Sequence, residues 1–223
     1  MNIDKEYEEK MISFEIDCFD GKGVPEACHE AAYFQQVIRN NKVQAVKMFD
    51  KNCDEKGYLL SCFNAARLHA SGRSIPQNLP RATQQFKRAC EGEVIPACFF
   101  YGSILMSEPD KTIEERKNGL DILVNACRKN EVQSCYSAAS YYISKANPDR
   151  NPKLAQEFLQ IACDRYHTES CHNLAVMYHQ GDEGVEPNKE LFEKYKKMTL
   201  KMANEQQRFH KIQNKLKEKA NQT

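Results

Sequence analysis

Ten cysteines recur at regular intervals along this 223-residue chain. They fall into five pairs whose members lie 10, 9, 8, 8 and 8 residues apart, and from the second pair onward the first cysteines recur every 36 or 37 residues. The pairs are Cys18 with Cys28, Cys53 with Cys62, Cys90 with Cys98, Cys127 with Cys135, and Cys163 with Cys171. A period of this length predicts a repeat architecture in which each repeat is one supersecondary unit.

Bulky and small side chains recur at fixed distances from the cysteines. Because spacings of four and eight residues lie on one helical face, the pattern predicts a helix B that ends in one cysteine and a helix A that begins with its partner after a loop of about four to seven residues. Small side chains let the two helices approach closely. The positions are Phe14, Phe49, Phe86, Leu123 and Leu159 four before each first cysteine; Ala45, Ala82, Gly119 and Ala155 eight before it; and Ala32, Ala66, Gly102, Ala139 and Ala175 four after each second cysteine.

Prolines and glycines set the expected helix boundaries. They predict A helices near 26–39, 61–71, 97–107, 133–145 and 169–180, and B helices near 42–55, 80–91, 113–129, 151–165 and 188–203, after an opening helix near 3–18. We therefore expect an all-α fold in which α/α helical hairpins stack as a solenoid. Residues 1–203 would form one repeat domain, and 204–223 would form a capping helix or a flexible tail.

The cysteine pairs fit structural disulfides best. Partners at the facing ends of two antiparallel helices can meet the Cα separation of about 5.5–6 Å typical of a disulfide. Zinc sites bring four ligands with shorter cysteine spacing, and thiol oxidoreductases commonly carry C-x-x-C. The sequence has neither pattern. Reduced, buried cysteines remain the other interpretation. If five bridges form, each contributes about 2–3 kcal/mol in the chain-entropy model, so folding would depend on oxidation.

Charge and hydropathy exclude several function classes. The formal net charge is +1 and no long basic run occurs, so the sequence lacks the electrostatic signature of a nucleic-acid binder. No stretch approaches the roughly 18 apolar residues of a membrane span. Residues 1–23 are rich in Asp and Glu and have no apolar core, so we expect neither a secretory signal nor an Arg-rich presequence there.

The repeat unit resembles a known family. Its residues Ala82, Phe86, Ala89-Cys90, Ala97-Cys98 and Gly102, with QGDEGVEPN at 180–188, are similar to the cysteine-rich Sel-1-like repeat, a relative of the tetratricopeptide repeat. The resemblance covers about residues 14–203. Two groups fit: secreted bacterial cysteine-rich repeat proteins and the mitochondrial cytochrome c oxidase assembly factor 7 family. Five pairs, an acidic leader, a wider first pair and a short first hairpin turning at 37–41 favour the mitochondrial group.

That resemblance implies a function. It implies residence in the mitochondrial intermembrane space, import coupled to disulfide formation by an import oxidoreductase, and a role in assembling respiratory complex IV, whose subunits or assembly intermediates would be partners. The chain would act as a non-catalytic scaffold or chaperone. The alternatives are a haem-binding or thiol-redox carrier in the same pathway, and a secreted bacterial protein that binds a peptide or a β-lactam-like ligand.

Two departures from the family pattern stand out. Gln36 lies where many repeats have glycine, and 108–118 lacks the usual glycine-valine loop. The second departure predicts an unusual connection between helices A and B in the third repeat.

No catalytic constellation is evident in the sequence. The six histidines are dispersed, and the motif set of serine β-lactamases is missing, so an enzymatic role stays uncertain, with thiol-redox chemistry as a weak alternative. No metal site is expected.

Haem is the small-molecule alternative, because complex IV assembly handles haem and His with Met is a known axial pair. The candidate haem ligands are His69, Met106 and His179, seven or eight residues after a second cysteine. Tyrosines occupy the seven-residue position in other repeats, so an ordinary packing role is the competing interpretation. Stacked A helices would also form a binding groove, for which the candidates are Tyr101, Tyr141, Tyr142 and Tyr178.

Overall fold

The computed structural model describes residues 4–220, and within that range the chain folds into eleven α-helices. The helices are α1 (Lys5–Phe19), α2 (Pro25–Val37), α3 (Lys42–Lys56), α4 (Leu59–Ser71), α5 (Leu79–Glu91), α6 (Ile95–Ser107), α7 (Ile113–Arg128), α8 (Val132–Ile143), α9 (Pro152–Asp164), α10 (Thr168–Gln180) and α11 (Lys189–Ala220). The all-α repeat fold predicted from the cysteine period is confirmed. Among these residues no β-strand forms, and the β-type pairing is an isolated bridge between Asp182 and Val185.

Asparagine caps begin most of the B helices. The side chains of Asn41, Asn78, Asn151 and Asn188 each accept a hydrogen bond from the backbone N–H three residues later, at 3.0–3.1 Å. Such a cap contributes about 1 kcal/mol, because it satisfies a backbone donor that has no partner in the first helical turn. These asparagines follow the same period as the cysteines, so the repeat also fixes where each B helix starts.

The turn from each B helix to the next A helix reverses the chain through a left-handed residue. Gly57 has φ +69°, and the equivalent positions Glu93, Asn130 and Tyr166 have φ of +66°, +68° and +64°. In the last three joints the next backbone N–H bonds to a carbonyl five residues earlier, as in His167 to Ala162 at 3.1 Å. This compact turn accounts for the eight-residue spacing of the cysteines.

The third A–B connection is unusual, as its sequence predicts. The guanidinium of Arg116 donates hydrogen bonds to the carbonyls of Met106 at 2.7 Å, Glu108 at 2.8 Å and Lys111 at 3.2 Å. Thr112 and Glu115 form a reciprocal capping box at the start of α7. A side chain of α7 therefore holds together a loop that lacks the glycine present between α4 and α5 and between α10 and α11.

The bulky residues that precede the cysteines form the core. The side chains of Phe49, Phe86 and Leu159 are fully buried, and Leu123 is 1% exposed. Phe14 is half-buried and packs against the cluster around Phe49.

The chain divides between Ile122 and Leu123 into two compact units. In the first unit, α2 packs on α3, α3 on α4, α4 on α5 and α5 on α6; in the second, α8 packs on α9, α9 on α10 and α10 on α11. Each unit thus consists of consecutive helices packed in chain order. Among residues 4–220 no helix is both long and apolar enough to cross a membrane.

The last helix is longer than the sequence analysis expected. We placed the end of the last B helix near residue 203, whereas α11 continues without a break to Ala220. No glycine or proline occurs between Lys189 and Ala220, and this stretch is rich in helix-forming Lys, Glu and Gln. Residues 1–3 of the expected repeat domain and 221–223 of the expected tail lie outside the described residues.

Candidate functional site

All ten cysteines are paired in disulfides, and the pairing is the one that the spacing predicts. The Cα separations are 5.4 Å for Cys18–Cys28, 4.8 Å for Cys53–Cys62, 4.7 Å for Cys90–Cys98, 4.5 Å for Cys127–Cys135 and 4.8 Å for Cys163–Cys171. Each bridge joins the end of one helix to the start of the next. The disulfides therefore lock the turn at the left-handed residue on which every hairpin joint depends.

Small side chains recur where each A helix packs on the following B helix, a pair that no disulfide joins. Ala66 and Ala82 are fully buried beside Cys53–Cys62, and Ala139 and Ala155 are fully buried in the second unit. In the third repeat both positions are glycine: a Cβ added to Gly119 would lie 2.8 Å from the carbonyl oxygen of Gly102. Helices α6 and α7 therefore approach more closely than a Cβ at this position allows.

The zinc interpretation of the cysteines is not supported by this arrangement. Every sulfur is bonded to another sulfur, so no thiolate is available as a metal ligand. In the part of the chain that the structure describes, no group of three His, Cys, Asp or Glu side chains is placed to hold a metal ion.

The candidate haem ligands have protein partners in the structure. The Nε2 atom of His69 lies 2.9 Å from Oδ2 of Asp50, and the His69 side chain is only 13% exposed. Asp50 also accepts a hydrogen bond from Gln85 at 2.6 Å, so His69 belongs to a polar network between α3, α4 and α5. His179 packs its ring on Phe192, with centroids 4.6 Å apart.

Met106, the third candidate, is half-buried next to the close approach at Gly119, where its Cγ lies 3.1 Å from the position of an added Cβ. His69 and Met106 belong to the first unit and His179 to the second. Haem ligation by these residues stays a prediction; His69 could ligate through Nδ1 while Nε2 keeps its bond to Asp50.

The four candidate groove tyrosines differ in exposure. Tyr178 is buried at 9% exposure, its ring stacked on Tyr195 with centroids 5.7 Å apart and its hydroxyl 2.5 Å from Gln156. Burial raises the pKa of the Tyr178 hydroxyl above its usual value. Tyr178 therefore belongs to the core of the second unit.

The other three tyrosines are half-buried. Tyr141 donates a hydrogen bond to Asp149 at 3.1 Å, and its ring contacts that of Tyr142 edge-on at 5.3 Å. Tyr142 in turn packs against Phe158. Tyr101 packs against the core cluster around Phe86. These three rings keep partly exposed surfaces, and their role in binding remains a prediction.

A half-buried histidine and a buried serine form a pair that the sequence did not reveal. Nδ1 of His29 lies 3.0 Å from Oγ of Ser61, and the Asn52 amide donates to the same oxygen at 2.8 Å. Burial lowers the pKa of His29 from 6.5, opposed by the nearby Glu30 carboxylate. Because Ser61 is fully buried, it cannot reach a substrate as a nucleophile. The group instead links α2, α3 and α4 through hydrogen bonds.

A cavity of about 480 Å³ lies in the first unit, and sequence reasoning missed it. Its walls combine cationic, apolar and amide side chains, among them Lys42, Arg67, Arg73, Phe100 and Gln36. The cavity residues come from the end of α2, the start of α3, α4 and its following loop, α5 and α6. Only Gln36 carried a signal in the sequence, as the residue that stands where many repeats have glycine.

Comparison with known proteins agrees with this arrangement. The Sel1 repeat family matches residues 19–55, 59–93, 132–167 and 168–191. Residues 94–131, which contain the loop bound by Arg116, are not matched. Curated relatives include the cytochrome c oxidase assembly factor 7 homolog of Drosophila melanogaster, 27% identical over 92% of this chain and 91% of the relative. The cytochrome c oxidase assembly factor 7 of Xenopus tropicalis is 26% identical over 86% and 85%, and that of Homo sapiens is 27% identical over 85% and 72%.

Solved structures show the same fold. A Sel1 repeat protein from Oxalobacter formigenes superposes with a TM-score of 0.67 at 15% identity, covering 86% of each chain. An immunity protein from Pseudomonas aeruginosa superposes with a TM-score of 0.55 at 15% identity, covering 91% of this chain and 76% of its own. The family matches cover more than half of the sequence, and the first three each span one A helix and the B helix that follows it, so the disulfides join one repeat to the next. This chain belongs to the Sel1 repeat family.

Proposed function

We propose that this protein is an assembly factor for cytochrome c oxidase, respiratory complex IV, that acts in the mitochondrial intermembrane space as a non-catalytic, protein-binding scaffold. The observation that carries the proposal is its similarity to relatives named cytochrome c oxidase assembly factor 7 over 85–92% of its length. Similarity that extends over nearly the whole chain supports a shared role for the entire repeat array rather than for one part of it.

The disulfides support the compartment. Five bridges with every cysteine engaged require an oxidising environment, which cytosol does not offer. An unfolded chain that enters the intermembrane space would be folded by oxidation at its five joints. The compact oxidised form could not pass back through the import pore, so disulfide formation would also retain the protein.

The arrangement of side chains supports binding rather than catalysis. The cysteines are bonded to one another in disulfides. The Ser61 hydroxyl next to His29 is buried, and His69 is hydrogen-bonded to Asp50. The exposed faces of the packed helices are available to a partner. Helical repeat proteins commonly bind a segment of another protein on such a surface. Subunits or assembly intermediates of complex IV are the partners that this role requires.

Complementation tests the role. The chain would be expressed in cells that lack their own assembly factor 7, and assembled cytochrome c oxidase would be measured by native gel electrophoresis and oxygen consumption. We expect the oxidase level to rise. A chain that accumulates, oxidised, in the intermembrane space and leaves the oxidase unchanged would refute the assembly role.

Protease protection tests the compartment. The protein should resist protease in intact mitochondria and become accessible when the outer membrane alone is opened. The double variant Cys53→Ser/Cys62→Ser should accumulate less, because the joint between α3 and α4 is no longer locked on arrival. Lys47→Gln, an exposed change on α3, is the matched control. Equal accumulation of both variants, or recovery of the protein from the matrix, would count against retention by oxidation.

A further inference from the structure

We propose that the cavity bounded by Gln36, Lys42, Arg67 and Arg73 binds an extended acidic peptide segment of a partner protein; this inference rests on the proposed role as a protein-binding scaffold. It assigns the ligand class and the site, neither of which follows from the family match. Two properties of the cavity carry it: its charge and its apolar wall.

The cavity is cationic and lacks a compensating carboxylate. None of the residues that line it is acidic, and three of them are basic. Within residues 4–220, Lys42 and Arg73 make no ion pair, and the Arg67 guanidinium is engaged only with the face of the Phe63 ring, 5.6 Å from its centroid. Elsewhere in this unit Arg39 and Arg81 have carboxylate partners. Charge complementarity therefore favours a ligand with carboxylates, which guanidinium groups bind with two parallel hydrogen bonds.

One wall of the cavity is apolar. Phe86 and Phe100 stack with centroids 4.8 Å apart and rings 8° from parallel, and Leu68 lies on the same cavity. Phe86 is fully buried, so the half-buried Phe100 provides the accessible ring. This wall fits an apolar side chain next to the acidic ones, and it gives a free phosphate nothing to contact.

A peptide can occupy both parts of the cavity at once. Its Asp or Glu carboxylates would reach the exposed guanidinium groups of Arg67 and Arg73, and a neighbouring apolar side chain would pack on the Phe100 ring. A free phosphate or a carboxylate alone could satisfy only the cations. The combination of cations and an aromatic wall therefore matches an acidic peptide that also carries apolar side chains.

Direct binding tests the proposal. The probe is a fluorescein-labelled octapeptide of alternating Glu and Leu, and its anisotropy is followed as oxidised, full-length protein is added. A peptide with Gln in place of every Glu is the ligand control. The double variant Arg67→Gln/Arg73→Gln removes two exposed cations, and Lys47→Gln/Lys117→Gln removes two exposed cations of the same unit outside the cavity, so both carry the same net charge.

We expect the acidic peptide to bind the wild-type protein and the Lys47/Lys117 variant equally, and the Arg67/Arg73 variant at least about tenfold more weakly, since hydrogen bonds to charged groups contribute more than neutral ones. Circular dichroism of each variant checks that it is folded.

Several results would overturn the proposal. They are equal binding to both double variants, equal affinity for the Glu and Gln peptides, or full competition by inorganic phosphate at a concentration where chloride of equal ionic strength has no effect. If the Arg67/Arg73 variant still restores cytochrome c oxidase in complementation and its cavity binds no peptide, the cavity inference fails while the proposed function stands. If the wild-type protein binds the peptide at the cavity but restores no oxidase, the proposed function fails while the cavity inference stands.

Discussion

Replacing Gly119 with alanine tests whether helices α6 and α7 approach too closely for a side chain. An added Cβ would lie 2.8 Å from the carbonyl oxygen of Gly102, 2.8 Å from Cβ of Leu105 and 3.1 Å from Cγ of Met106. Ordinary contacts of a Cβ begin at 3.4 Å, so α6 would have to move by about 0.6 Å or the contact would remain strained. The end of Met106 can adjust, but the backbone of Gly102 cannot.

Two opposing effects decide whether Gly119→Ala raises or lowers the free energy of unfolding. Alanine is favoured over glycine inside a helix by about 1 kcal/mol, which would stabilise the variant. Overpacking a well-filled interface costs about 1–3 kcal/mol. Because one of the obstructing atoms is a backbone oxygen, we expect the upper part of that range and a net loss of about 1–2 kcal/mol in the free energy of unfolding.

Urea unfolding of the oxidised protein, followed by circular dichroism, measures this loss as a lower midpoint at unchanged slope. Asn118→Ala is the matched control, since Asn118 is exposed on the same helix and alanine should leave its stability equal or raise it slightly. A Gly119→Ala protein as stable as wild type, or more stable, would refute the close approach of α6 and α7.

Three further predictions follow from individual groups. Replacing Cys163 and Cys171 together with alanine should lower the free energy of unfolding by about 2.5 kcal/mol, the chain-entropy value for a separation of 8 residues; an unchanged urea midpoint would contradict it. Because burial lowers the pKa of His29 from 6.5, stability should be full above pH 6.5 and fall as the pH drops below it toward the lowered folded pKa. His29→Gln should flatten that dependence in unfolding curves taken from pH 7.5 to 5. Finally, if His69 is an axial haem ligand through Nδ1, with Nε2 held by Asp50, His69→Ala should weaken or shift the Soret band formed with added haem; identical spectra for wild type and variant would exclude His69 as a ligand.

The disulfide pairing could be predicted from the sequence because it depends on local geometry. Partners lie 8–10 residues apart, at the two ends of one turn, and the side chains that let them meet recur at helical spacing on the same segments. The positions of Phe49 and Phe86 in the core followed from the same periodicity. The Asn caps at 41, 78, 151 and 188 carried an equally regular signal, and it could have located the B helices more sharply than the prolines did.

Features that depend on contacts across repeats could not be predicted. The cavity joins residues of five helices and an intervening loop, and only packing places Gln36 near Phe100. Tyr178 fits a groove by its position in the repeat, yet its ring is covered by Tyr195, which lies on the long last helix. The Arg116 loop replaces a glycine by side-chain hydrogen bonds, for which no short motif exists.

The central claim is that five local bridges, one at each hairpin joint, hold the folded protein. Intact mass spectrometry after alkylation in denaturant measures it most directly. Protein from an oxidising compartment should take up no alkyl groups without reductant and ten after reduction. Proteolysis without reduction should then yield five cross-linked peptides that pair each cysteine with its neighbour 8–10 residues away. Uptake of ten groups before reduction, or bridges between distant repeats, would contradict the account.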